Sequence, residues 1–222
     1  MHNIDDLFVI FPPRIEKNVA ELIENNSSHL SLPAKKIFVR PGDEVKTIYY
    51  IKKGRTKHYM ISPSGIEKVI YILSDGWFLR ESTFVINRMK FAVRYSITEL
   101  PTVIYAIDQR QYEKLIQYPS FSKSLLQSSC IKNEVLRRRE ESLAFDTGKE
   151  RLFKLLQSLA NTNILIDACW HPLSIHYTHA EMSSIIGVNR VTISRFMSEL
   201  AEEGKIRSVN RRIQVHKESS NT

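Results

Sequence analysis

A chain of 222 residues with 42% hydrophobic and 25% charged content can build one large or two modest domains, each with its own core. No apolar run reaches the ~18 residues of a membrane span, and the start, MHNIDDLFVIFPP, lacks the basic opening of a signal peptide. The net charge of +8 suits a polyanionic partner, and two cysteines, Cys130 and Cys169, are too few for a disulfide framework. A soluble cytoplasmic protein with no membrane partner is expected.

From about Glu16 to Tyr112 short β-rich runs are separated by Pro41-Gly42-Asp43, Lys53-Gly54, Pro63-Ser64-Gly65 and Asp75-Gly76. Runs at 91–97 and 102–107 complete an antiparallel barrel or roll of ~8 strands. The pattern changes at Tyr118. Phe121, Leu125, Ser128, Lys132, Val135, Arg139 and Ser142 or Leu143 recur at 4-3 spacing, flanked by Leu126, Ile131 and Leu136. They predict a helix of ~25 residues ending near Phe145, whose narrow stripe suits a coiled coil with a second copy. A lone amphipathic helix lying on the roll is the alternative. Phe145-Asp146-Thr147-Gly148 reads as a hinge, with Asp146 or Thr147 capping a helix from Lys149 to Leu159. An irregular or strand-like stretch then leads to His176.

The run from Thr178 to Ile206 is the most informative of the chain. Thr178 and Glu181 form a capping box, Met182, Ile185 and Ile186 give a buried stripe, and Gly187 tolerates the positive φ that ends a helix. Asn189 caps a second helix with Ile193, Phe196, Met197 and Leu200 inward. Its other face carries Arg190, Val191, Ser194 and Arg195, where a recognition helix presents side chains to base edges. The alternative is an ordinary helical hairpin with a solvated basic face. The sequel KIRSVNRRIQV alternates like a β-hairpin, which makes a winged helix in which Arg207, Arg211 and Arg212 meet phosphates. The chain therefore reads as α+β: an N-terminal β-roll over 1–117, a dimerisation helix and hinge over 118–146, and a winged helix-turn-helix over 147–222.

That order, with Leu143-Ala144-Phe145-Asp146 and the winged helix, resembles the cyclic-AMP receptor protein and fumarate-nitrate regulator (CRP/FNR) superfamily of bacterial transcription factors. The likeness covers nearly the whole chain and is looser in the roll. It implies a cyclic-nucleotide-binding-like roll (a double-stranded β-helix), a homodimer through the long helix, binding to palindromic double-stranded DNA, and RNA polymerase as a partner. Arg190 and Arg195 fill the family's basic positions, but Val191 replaces the usual Glu. A carboxylate accepts from cytosine, whereas a methyl packs best on thymine, so an AT-rich palindrome is expected. Arg195, and with it Arg190, would read a purine or a phosphate; Asn189 and Thr192 would hold the backbone, and Thr178, His179 and Ser194 are further DNA-binding candidates. The segment Asn189-Arg190-Val191-Thr192-Ile193-Ser194-Arg195 resembles that of the CprK branch of halorespiration regulators.

For the effector, the resemblance puts Glu81 at a ribose-binding position, with Arg80 where the family has Gly and Ala92-Val93 where it has the phosphate-gripping pair. A small organic effector is therefore expected ahead of a cyclic nucleotide, and no cofactor is assigned. Tyr71, Trp77, Phe91 and Tyr95 offer an aromatic wall and Arg88, Lys90 or Arg94 an anion partner, with Lys132, Asn133, Leu136 and Arg137 at the mouth. Alternatives are a Cys130/Cys169 redox switch, haem at His58, and a nucleic-acid-binding protein without effector; an iron–sulfur cluster needs more thiolates than the chain has. No metal site is expected. His171, His176 and His179 precede the helix-turn-helix without acidic or thiolate partners at ligand spacing. No catalytic signature is present, so an enzyme is not expected.

Overall fold

The computed structural model describes residues 9–14, 16–86 and 90–217. They form two compact units, one spanning residues 10–136 and the other made of residue 9 with residues 137–217.

The first unit is a roll with helices. Its strands are β1 (Ile10–Phe11), β2 (Ser28–Leu32), β3 (Ile37–Val39), β4 (Ile48–Lys53), β5 (Thr56–Ile61), β6 (Glu67–Leu73), β7 (Phe78–Leu79), β8 (Tyr95–Thr98) and β9 (Thr102–Ile107). They make two sheets, ordered β1-β6-β5-β8-β3 and β2-β9-β4-β7, antiparallel except where β1 lies parallel to β6. The expected antiparallel roll is present, and three helices that the strand-like reading missed accompany it: α1 (Lys17–Glu24), α2 (Glu81–Ile86) and α3 (Gln109–Leu115). Val19, Ala20 and Ile23 of α1 and Leu115 of α3 pack with Ile48, Tyr50, Phe78 and Ile107 of the second sheet. Asp108 and Gln111 form a capping box that starts α3. Gly76 is fixed by its neighbours: φ is +84° and a Cβ would lie 1.6 Å from the Arg14 carbonyl oxygen.

Helix α4 (Pro119–Phe145) runs 27 residues, close to its expected length and end. Its 4-3 stripe has a different use from the expected one. Phe121, Leu125, Ser128, Lys132, Val135, Arg139 and Ser142 are buried within the chain itself. Phe121 stands edge-on to Phe78 at 5.6 Å and Lys132 donates to the Phe78 carbonyl at 2.8 Å, while Arg139 donates to Ile185 O at 3.0 Å. A narrow stripe with a lysine and an arginine in it suits intrachain hydrogen bonds better than a two-fold seam. The side left exposed carries Leu126, Cys130, Asn133, Arg137, Glu140 and Ala144, again at 4-3 spacing.

The second unit holds the end of α4, then α5 (Gly148–Leu159), β10 (Trp170–Pro172), α6 (His179–Ile186), α7 (Arg190–Glu202), β11 (Ile206–Val209) and β12 (Arg212–His216). Leu152, Leu155, Leu156 and Leu159 of α5 are buried, as are Met182, Ile185 and Ile186 of α6 and Ile193 and Leu200 of α7. Strand β12 pairs with β11 and β10, so the expected wing hairpin is the outer part of a three-stranded sheet.

Candidate nucleic-acid interface and roll cavity

Local hydrogen bonding builds the helix-turn-helix. The Thr178 hydroxyl accepts from the Glu181 amide at 3.2 Å while Glu181 Oε2 accepts from the Thr178 amide at 2.8 Å. Gly187 turns the chain with φ +85°, and Asn189 Oδ1 accepts from the Thr192 amide at 2.8 Å to start α7. Thr178 and Asn189 thus spend their side chains on caps, and the Thr178 hydroxyl also donates to Glu181 at 2.9 Å. Between those caps the recognition face stands open. Val191 is 79% exposed, and Arg190, Ser194 and Arg195 are exposed beside it, with Thr192 half-buried. His179 at the start of α6 shares a 2.9 Å hydrogen bond with the Ser194 hydroxyl, tying the two helices at that face.

The wing divides its cations. Asn210 and Arg211 take positive φ (+50° and +61°) in the two-residue turn, which sets Arg211 at the tip, and Arg212 is exposed next to it. Arg207 does otherwise. Its Nη2 meets Asp167 Oδ2 at 2.6 Å, its Nε donates to Gln214 Oε1 at 2.6 Å, and its guanidinium lies 4.7 Å from the Trp170 ring centroid. Arg207 thus braces the sheet, unlike Arg211 and Arg212 at the tip. At the other end of α7, Lys149, Glu199, Glu203 and Lys205 form an ion network, and hydrogen bonds from Lys149 and Lys205 pull the Glu203 carboxyl down to about 2.

In the roll, a cavity of about 50 Å³ is lined by His58, Tyr71, Arg80, Thr83, Phe91, Ala92, Val93, Arg94 and Ser96 with Val39, Val45 and Leu79. It is far smaller than the ~300–1,000 Å³ of a typical small-molecule site. Of the expected effector residues, Tyr71, Phe91 and Arg94 are at this cavity, and Arg88 lies outside the described residues. Trp77 is not: its indole N–H donates to Pro12 O at 2.7 Å and its ring packs edge-on to Phe11 at 4.8 Å, making it core. Tyr95 stacks on Tyr59 at 5.1 Å. Lys90 contributes its carbonyl to the Val45 amide at 2.9 Å and does not line the cavity, nor do Asn133, Leu136 and Arg137. Arg137 pairs with Glu141.

Glu81 and Lys132 are the buried charges of the roll. They pair directly, with Ser128 donating to Glu81 at 3.1 Å and Ser129 at 3.3 Å. Burial pulls the Lys132 ammonium below its ordinary value, against the opposing pull of Glu81. Burial likewise lifts the Tyr71 phenol to about 12, and the Glu81 charge adds to the rise. His58 is enclosed between Thr56 Oγ1 at 2.8 Å and Ser96 Oγ at 2.9 Å. Burial, with the charges of Lys132 and Arg94, holds its imidazole well below the ordinary range, so it is neutral. Arg80 adopts φ +70°, the conformation that suits the Gly the family carries there, and donates to Glu44 O at 3.0 Å. Sequence reasoning did not single out Thr83 or Ser96, and the left-handed φ of Arg80 has no signal in an arginine.

Two family models match this chain. The Crp-like helix-turn-helix domain covers residues 150–219 and the cyclic nucleotide-binding domain covers residues 29–118. The chain belongs to the CRP/FNR superfamily. As a CRP/FNR protein it is a DNA-binding transcription regulator and not an enzyme. It is 25% identical over 188 residues to the cAMP-activated global transcriptional regulator CRP of Pasteurella multocida, spanning 83% of this chain and 88% of that protein. Its fold is similar to that of the c-di-GMP responsive global regulator CLP of Xanthomonas campestris, with TM-score 0.77, 17% identity, and coverage of 90% of this chain and 99% of that one. CprK complexed with OCPA matches with TM-score 0.72, 15% identity and 94% coverage of each chain. The CRP/FNR assignment therefore holds, while the CprK likeness of the recognition helix does not set that branch apart from the others. Among the described residues no cluster of three or more His, Cys, Asp or Glu could hold a metal, no helix is long and apolar enough to cross a membrane, and both cysteines are free.

Proposed function

We propose that this regulator acts as a homodimer on an AT-rich inverted repeat, each α7 entering a major groove, under control of a small organic effector at the roll. The single observation that carries the reading is the open face of Arg190, Val191 and Arg195 between two formed caps. Val191 offers two methyls and no acceptor, so it favours the thymine methyl over the cytosine amino group. Arg195 and Arg190 reach purine edges or phosphates, His179 and Thr192 hold the backbone, and Arg211 and Arg212 add wing contacts to phosphates.

The second copy is expected on the exposed side of α4, through Leu126, Cys130, Asn133, Arg137, Glu140 and Ala144. Leu126 is 65% exposed and lines a groove of about 270 Å³ with Val85, Ile86, Tyr112, Ile116 and Leu125, whose polar lining is Glu81, Ser82, Ser122 and Ser129. An asparagine inside such a seam fixes register in a parallel pair. Residues 1–117 then serve as sensor, 118–146 as dimerisation helix and hinge, and 147–222 as the DNA-binding and polymerase-facing part.

A small organic molecule is favoured over a cyclic nucleotide because Glu81, which the family resemblance puts at the ribose position, is already paired with Lys132 and hydrogen-bonded by Ser128. The effector enlarges the cavity beside Tyr71, Phe91 and Arg94, and it shifts populations only through unequal affinity for the two hinge arrangements. Gel shifts with an AT-rich inverted repeat test the reading, with GC-rich half-sites as competitor. The complex should carry two chains per duplex and resist the GC-rich competitor; preference for that competitor, or one chain per duplex, overturns it.

A further inference from the structure

Arg195 rests on two groups, and both are touched from the hinge. Its Nε lies 3.5 Å from Glu199 Oε1, one turn along α7, and its guanidinium lies 5.3 Å from the Phe196 ring centroid. The other oxygen of Glu199 lies 3.2 Å from Lys149 Nζ, which also meets Glu203 at 2.7 Å. Lys149 is the second residue of α5, directly after Gly148. Gly148 in turn sits so close to the recognition helix that a Cβ there would be 3.0 Å from Phe196 Cε2 and 3.2 Å from Val188 Cγ1. Residues 148 and 149 are therefore packed against both supports of the arginine.

We propose that Lys149 and Glu199 are a positioning pair through which the hinge sets the posture of Arg195. The inference rests on the reading of Arg195 as the base-contacting residue. One carboxylate serves two cations here. While Lys149 holds one oxygen, Glu199 keeps only a long, single contact with Arg195, and the guanidinium is free to swing towards a base edge. When the start of α5 moves away, both oxygens turn to the arginine. A planar fork that accepts a bidentate carboxylate is then folded back along its own helix instead of reaching for a purine. A hinge displacement thus becomes a change in sequence discrimination without any change in the caps. Exposed pairs of this kind are weak, so the effect is about twofold to fivefold in binding.

The test uses the full-length chain and fluorescence anisotropy on two duplexes, one enriched by the wild-type protein from a random pool and one scrambled from it. Lys149→Gln should lower the ratio of the two affinities about twofold to fivefold, and Lys149→Arg should restore it. In a Glu199→Gln background Lys149→Gln should leave the ratio unchanged, since the shared carboxylate is gone. Equal weakening on both duplexes, or the same fall of the ratio in the Glu199→Gln background, overturns the inference while leaving the regulator reading intact. Arg195→Ala is measured in parallel. If it leaves the ratio unchanged, the base-reading role of Arg195 fails, and the inference fails with it.

Discussion

The roll and the recognition face spend their polar side chains in opposite ways. In the roll, Glu81, Lys132 and His58 are enclosed and bonded to partners far away in sequence. On the recognition face, Thr178 and Asn189 are consumed by local caps, while Arg190, Val191 and Arg195 stay in solvent. The first arrangement ties helix to sheet; the second leaves chemistry available to a polyanion. Breaking a buried pair is costly because it strands a charge, whereas an exposed side chain can be removed with little loss of stability.

The largest test of that contrast is Glu81→Ala, which leaves Lys132 unpaired in the interior. A loss of ~3–5 kcal/mol in chemical unfolding is expected, whereas Glu81→Leu with Lys132→Met should lose far less, because both charges leave together. Equal losses would mean that the pair is not the source of the cost.

Arg195→Ala is next. It should weaken specific binding by ~1–3 kcal/mol and relax one base position, with little effect on stability. A loss of unfolding free energy larger than the loss of binding free energy would put Arg195 on the structural side of the comparison.

The most gradual effect is the pH dependence of His58. Its folded-state value is depressed, so below the ordinary imidazole value of ~6.5 the unfolded chain takes up a proton that the folded chain refuses. Stability from this group is complete above that pH and falls by up to ~1.4 kcal/mol per unit as the pH drops below it. Unfolding curves from pH 7 to pH 5 should show the slope, and His58→Gln should reduce it.

The same contrast decides what the sequence could disclose. Thr178-x-x-Glu181, Gly187 and Asn189 are local devices, written within a few residues, and all formed as expected. Asp108-x-x-Gln111 was equally local, and it marked α3 inside a stretch that read as strand. The stripe of α4 shows why the rest stayed hidden. Periodicity says that Ser128, Lys132 and Arg139 share a face, but not that Glu81 and Ile185 O wait opposite them. Trp77 is a second case: nothing near an indole in the sequence says that Pro12, 65 residues earlier, holds its N–H. Arg207 looked like any wing cation, because Asp167 is 40 residues away.

The most direct test is selection of bound duplexes from a random pool by the full-length protein, with Val191→Glu run alongside. The wild-type chain should enrich an inverted repeat rich in A·T, with half-sites one helical turn apart (~10–10.5 base pairs), and Val191→Glu should shift one symmetric position to C·G. Enrichment of no repeat at all, or identical sites from both proteins, would contradict the account.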